Sequence, residues 1–237
     1  MQWHWDVIPR NFKYFMLGQY PDGPMGGLLL TMVMSVLVIL MCFVLGIVFG
    51  LMRYSKNKYW RFPAIGYIEF IRGTPVLMVI FWCYFMLPKL IPVLHGRTRF
   101  EWTSALFALV AFYGAQMAEV VRAGLESIGR GQTEAALSSG LTYVQVIRYI
   151  IMPQGLKNMI PAIVGTFISV IKDTSLVYII GVAEFTRTVF QVNNRVLNAP
   201  MELFLFAAVV YFVPCYMLSK LSIRLEKRLA AGVKVEI

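Results

Sequence analysis

Long uncharged apolar runs alternate along this chain with short polar stretches, and the run lengths fit a bilayer. Gly27 to Met52 carries no charge and is long enough, at 1.5 Å per helical residue, to cross a hydrocarbon core of about 30 Å. Further runs at 74–87, 102–121, 159–182 and 201–221 predict four more spans. A less apolar helix from Pro63 to Arg72 leads into the second span, and Gly73 and Pro75 predict a break where the chain bends into the membrane. Glu69 and Arg72, three apart, are expected to pair on one face of that helix. Pro88 and Pro92 are expected to end the second span. In the first span Gly46 and Gly50 form a small-xxx-small pair suited to close helix contact. Residues 1–25 are amphipathic and aromatic (Trp3, Trp5, Phe12, Tyr14, Phe15 and Tyr20 among Asp6, Arg10 and Lys13), the make-up of an external segment lying on a membrane surface.

The polar stretch 122–157 has its own local signals. Gln132 to Ser139 is rich in helix formers, and Gly140 is the residue expected where a helix ends left-handed. Thr142, with Gln145 three residues on, predicts a capping box that opens a second short helix, which Pro153 is expected to stop after Met152. A helix–glycine–helix element between two spans is a lever that another protein can hold.

Composition agrees with a membrane protein: 59% of the 237 residues are hydrophobic and 14% are charged, too apolar for a soluble domain. The net charge of +10 does not point to nucleic acid, because the cations fall in short loops between spans. Arg53, Lys56, Lys58 and Arg61 follow the first span, and Lys220, Arg224, Lys227, Arg228 and Lys234 end the chain. The positive-inside rule places both groups and the 122–157 loop in the cytoplasm, with the N-terminus outside and a basic tail at 222–237. The opening residues Met1 to Asp6 lack the basic-then-apolar pattern of a cleavable signal, so the first span is expected to direct insertion. Cys42, Cys83 and Cys215 lie in apolar runs without ligand spacing and read as small buried hydrophobes.

No phosphate-binding loop, hydrolytic triad or metal-ligand cluster is visible, and His4 and His95 fall in predicted outside regions. The chain is therefore not expected to be an enzyme or to hold a cofactor of its own. Lys172 and Asp173, in the middle of the fourth span, each cost about 2.5–3.5 kcal/mol on insertion scales, so neither is expected to face lipid. One expectation pairs them with a charge on another helix, Glu119 or Glu69. The other has Lys172 meeting the carboxylates of a passing solute, with Thr174 and Ser175 as hydroxyl donors.

Glu134-Ala135-Ala136, Gly140, Ile150 and Met152-Pro153 resemble, at the right spacing, the EAA loop of ABC-importer permease subunits; Met152 replaces the family's leucine. Glu119, Arg122, Gly124, Ser127, Ile128, Gly131 and Gln132 extend that resemblance upstream. Arg72-Gly73-Thr74-Pro75 and Lys172-Asp173-Thr174-Ser175-Leu176 are similar to signatures of the polar amino-acid branch, and Phe81-Trp82-Cys83-Tyr84 looks most like glutamate/aspartate permeases. The resemblance implies an all-α, polytopic, type I ABC-importer permease: residues 26–221 form one transmembrane domain, and the loop carries a cytoplasmic coupling helix. It implies a second permease subunit, identical or homologous, and two cytoplasmic ATPase subunits that bind the ATP. It further implies an extracytoplasmic solute-binding protein, a polar and acidic amino acid as substrate, and a bacterial inner membrane. Glu134, Ala135, Ala136, Gly140, Ile150 and Pro153 are the implied coupling residues. Lys172, Asp173, Thr174, Ser175, Glu119 and Arg72 are the candidate path residues. An ion-coupled transporter or channel that uses Lys172 and Asp173 as a relay is the alternative.

Overall fold

The computed structural model describes residues 3–90 and 100–231, and the side chains through residue 228. Among these residues the structure is helical, with only two isolated β-bridges. Pro92 and His95 and the end of the tail with Lys234 lie outside the described residues.

Two short helices, α1 (Val7–Arg10) and α2 (Phe12–Leu17), precede the first span, α3 (Gly27–Tyr54). They do more than rest on a surface. Phe15 is fully buried against Phe185 and Phe206, and the His4 N–H donates to the Glu202 carboxylate at 2.7 Å. Trp3, Trp5, Phe12 and Tyr20 are exposed.

Helix α3 packs along α6 (Phe100–Glu126), and the two expected glycines make that contact possible. A Cβ on Gly46 would strike the Met117 side chain, and one on Gly50 would lie 2.8 Å from the Ala118 carbonyl oxygen. Only hydrogen at both positions lets the two backbones approach. Cys42 is buried in the same core.

Helices α4 (Lys58–Arg72) and α5 (Val76–Leu90) meet at a bend of 107°, at the Gly73-Thr74-Pro75 break. Asn57 caps α4 by accepting from the Tyr59 N–H at 3.0 Å, which starts the helix five residues before Pro63. Helix α5 passes through Pro88 and does not stop there; a proline removes one hydrogen bond and crowds the carbonyl four residues back without always ending a helix. Glu69 and Arg72 do not pair with each other: Glu69 turns to Arg53 on α3, and Arg72 to Glu119 on α6.

After α6 come α7 (Arg130–Ser138) and α8 (Tyr143–Val146), then a π-helical turn at Ile147–Ile151 and α9 (Met152–Asp173) without a break. Pro153 therefore does not stop the helix. Proline has no N–H and its ring crowds the carbonyl four residues back. The π turn relieves this by widening the helix: the Met152 N–H reaches the Ile147 carbonyl, five residues away. Helix α9 tightens into a 3₁₀ segment at Thr174–Ile180 and ends at Gly181, whose φ is +99°. Helix α10 (Phe185–Val196) packs an apolar face on α2, α3 and α11. The last helix, α11 (Pro200–Ala231), runs ten residues past the expected end of the fifth span. Among the described residues, four helical stretches are long and apolar enough to cross a membrane, or five if the bent α4–α5 pair is counted as one span.

Candidate functional site

Polar groups that an apolar chain must justify gather first in a cavity between α6 and α9 and in the loop from α7 to the start of α9.

The cavity, about 510 Å³, is lined by Tyr113 and Gln116 from α6 and by Thr166, Ser169, Lys172 and Asp173 from α9. Asp173 accepts from the Tyr113 hydroxyl at 2.6 Å, a bond that joins the two helices. Lys172 makes no ion pair among the described residues, and it also borders a second, more apolar cavity of about 520 Å³ between α9 and α11. The expected pairing of Lys172 or Asp173 with Glu119 or Glu69 does not occur. Thr174 is buried and donates to the Ile171 carbonyl at 2.7 Å, so its hydroxyl is engaged by its own helix. Neither Thr174 nor Ser175 lines the α6–α9 cavity. Tyr113 and Gln116 complete it, and sequence reading missed both. One is an aromatic and the other a neutral amide in an apolar run, so only their placement opposite α9 marks them.

Glu119 and Arg72 are drawn into a different cluster, at the end of α6. Arg53 (3.5 Å), Arg72 (3.8 Å) and Arg122 surround the Glu119 carboxylate, and Arg122 also holds Glu126. With Glu69 at 3.3 Å from Arg53, three acids and three bases tie together α3, α4 and α6. The balanced charge makes this a clasp between helices, apart from the cavity.

In the loop, the sequence signals act as local chemistry dictates. Gly140 has φ +85°; the Leu141 N–H donates to the Ala136 carbonyl and the Gly140 N–H to the Leu137 carbonyl, the two bonds of a left-handed helix end. The Gln145 carboxamide oxygen accepts from the Thr142 N–H at 2.8 Å, and the Thr142 hydroxyl accepts from the Gln145 N–H. Ala136 is buried with Val146 and Ile151, so a small residue there lets α7 sit close on the π turn. Glu134, Leu137, Val144 and Tyr149 point outward and are exposed. A groove lined by Gln132, Ala135, Ser139 and Ile150 runs between α7 and the π turn. Gln154 on α9 donates to Gln132 on α7 at 2.8 Å, a bond that ties α7 to the helix that carries Lys172 and Asp173.

Sequence reading also missed Glu184. Its carboxylate is fully buried, accepts from the N–H groups of Thr186 and Arg187 at 2.8 Å, and so caps α10. The Tyr211 and Thr31 hydroxyls, at 3.0 and 3.4 Å, join it to α11 and α3. Burial pushes its pKa up to about 7, against these hydrogen bonds. A single glutamate before a short amphipathic helix was the available signal.

Comparison with known proteins matches residues 42–230 to the family described as binding-protein-dependent transport system inner membrane component. A Bacillus subtilis (strain 168) protein described as a probable glutamine ABC transporter permease is 38% identical over 205 residues, 85% of this chain and 91% of that one. The glutamate/aspartate import permease of Escherichia coli O157:H7 is 33% identical over 232 residues, 97% of this chain and 99% of that one. Among solved structures, an amino acid ABC transporter crystallised with histidines superposes with a TM-score of 0.81 at 31% identity, covering 96% of this chain and all of that one.

Proposed function

We propose the function from one premise: the chain belongs to the family of binding-protein-dependent transport system inner membrane components. It is the permease subunit of an amino-acid ABC importer. Two such subunits, identical or homologous, enclose the path, with the basic loops cytoplasmic and the N-terminus outside. An extracytoplasmic binding protein delivers the substrate, and two separate ATPase subunits bind and hydrolyse ATP.

The observation that carries the coupling proposal is the bond between Gln132 and Gln154. The outward side chains Glu134, Leu137, Val144 and Tyr149 give an ATPase a polar and apolar surface to grip. Ala135, Ala136, Gly140, Ile150 and Pro153 shape that surface. Movement of α7 then passes to α9, which carries the Lys172–Asp173 pair some 27 Å from Gln154 at about 1.5 Å per residue. The transition repacks the same helices between inward-open and outward-open states.

The cavity holds one cation, one anion and the neutral amide of Gln116. Lys172 meets the α-carboxylate, Asp173 the α-amino group, and Gln116 the polar end of the side chain. That arrangement suits glutamate, aspartate and their amides, with the acidic pair the first expectation. The relatives lend nothing to the ion-coupled alternative. Competition of labelled glutamate uptake by a panel of amino acids tests the substrate class. Suppression by aspartate or glutamine supports it, and suppression only by basic or apolar amino acids removes it.

A further inference from the structure

Helix α4 has two apolar faces: one is packed against α3 and α6, and the other is open except where Phe70 stacks on Trp82 of α5, 5.6 Å between ring centroids. Ala64, Ile68 and Ile71 are buried against α3 and α6. Around the helix from them lie Tyr59, Phe62, Gly66 and Phe70, spaced three, four and four residues apart, so they form one outward stripe. Tyr59, Phe62 and Phe70 are 88%, 66% and 62% exposed, and Trp60, about 100° around the helix from Tyr59, is 58% exposed. A Cβ on Gly66 would meet nothing within 4 Å, so the middle of the stripe is open.

The charge around this stripe has one sign at its N-terminal end. Lys56, Lys58 and Arg61 are exposed, have no ion-pair partner among the described residues, and no acid lies between residues 23 and 68. Arg53 is already held by Glu69 and Glu119, and Lys56 sits over the Tyr143 ring at 4.9 Å. This cluster begins where the spanning helix α3 ends at Tyr54, at the depth of the lipid headgroups. The 107° bend sets α4 almost at right angles to α5. When α5 stands along the bilayer normal, α4 lies nearly in the membrane plane, the posture of an interfacial helix.

We propose that the outward face of α4 is a binding surface for anionic phospholipid. Acyl chains lie along Tyr59, Phe62, Gly66 and Phe70, and the headgroup phosphate is held by Lys58 and Arg61 with Lys56 nearby. The lysines supply point charges and Arg61 a two-pronged donor for phosphate oxygens. Trp60 stands at the boundary, where an indole is favoured. The surface would keep α4 flat at the membrane and so hold the α4–α5 bend. This inference does not depend on the substrate or on ATP coupling.

The test uses the full chain in vesicles, with Trp60 as the sole tryptophan and, as a control away from the α4 face, a chain whose sole tryptophan is Trp5, exposed in the N-terminal segment. Fluorescence quenching by brominated phosphatidylglycerol is compared with quenching by brominated phosphatidylcholine at equal mole fraction. The anionic lipid should be enriched at Trp60 by about fivefold, the factor that one juxtamembrane cation carries, and the excess should fall in high salt. The excess should also vanish in Lys56→Gln/Lys58→Gln/Arg61→Gln. Equal quenching by both lipids, indifferent to salt, overturns the proposal. So does protection of Trp60 from both lipids while Trp5 is quenched, which would mean that a second copy or another protein covers this face.

Discussion

Tyr113 donates its hydroxyl to Asp173 at 2.6 Å, and with that bond α6 and α9 share one carboxylate inside the membrane cavity. Lys172, one residue earlier, points about 100° away around the helix and borders both this cavity and the more apolar one against α11. Because no acid among the described residues pairs with Lys172, Lys172→Met leaves no buried carboxylate behind among them. The variant is expected to assemble with wild-type thermal stability in detergent and to lose amino-acid uptake. Loss of assembly, or uptake at the wild-type rate, would each contradict this account of the cavity.

Gly140 tests the lever. Its φ of +85° costs a side-chain-bearing residue roughly 1–2 kcal/mol, and most for a β-branched one, while no neighbouring atom lies within 4 Å of a new Cβ. The penalty is therefore conformational. Gly140→Val should keep the chain in the membrane but weaken ATPase retention and transport, whereas Gly140→Asn, tolerant of the left-handed region, should keep both. Equal behaviour of the two variants would separate coupling from the backbone geometry at this residue.

The clasp at Glu119 makes a stability prediction. Glu119→Gln leaves Arg53, Arg72 and Arg122 facing one another with their shared acid gone, and removing one partner of a largely buried ionic group costs about 3–5 kcal/mol. Arg72→Met should cost less, since Arg72 is more exposed and sits 3.8 Å away. Thermal unfolding in detergent orders the two variants, and the reverse order would refute the clasp.

Glu184 sets a pH dependence. Its pKa rises on folding from an unperturbed 4.5 to about 7, through burial. The folded state therefore favours the protonated form, so this contribution to stability is complete below pH 4.5 and is lost as pH rises through about 7. The shift corresponds to at most about 3 kcal/mol at 1.36 kcal/mol per unit. Tyr211 is the titratable side chain bonded to Glu184, and no cation forms an ion pair with it among the described residues. Unfolding measured at pH 5 and pH 8 should show a smaller difference in Glu184→Gln than in wild type; an unchanged difference would place the titration elsewhere.

The spans, the bend at Gly73-Pro75, the Gly140 helix end and the Thr142 capping box were legible because each is decided by nearby residues. Gly46 and Gly50 were legible as a pair, though only the packing shows Met117 and Ala118 opposite them. Pro153 misled because its local preference for ending a helix is overcome by a π turn that the sequence does not advertise. The partners of Glu69, Glu119 and Asp173 were not legible. Each is chosen by which helices lie side by side, over separations of 16, 66 and 60 residues, and side-chain chemistry alone matches too many candidates.

The central claim is that ATP hydrolysed on a partner chain drives amino-acid movement past α9. Reconstitution of the purified complex in proteoliposomes tests it most directly, with labelled glutamate outside together with its binding protein. The account predicts uptake only when ATP is present on the side of the basic loops, unaffected by collapsing ion gradients, and absent in Lys172→Met despite retained ATPase. Uptake driven by an ion gradient without the ATPase subunits would contradict it.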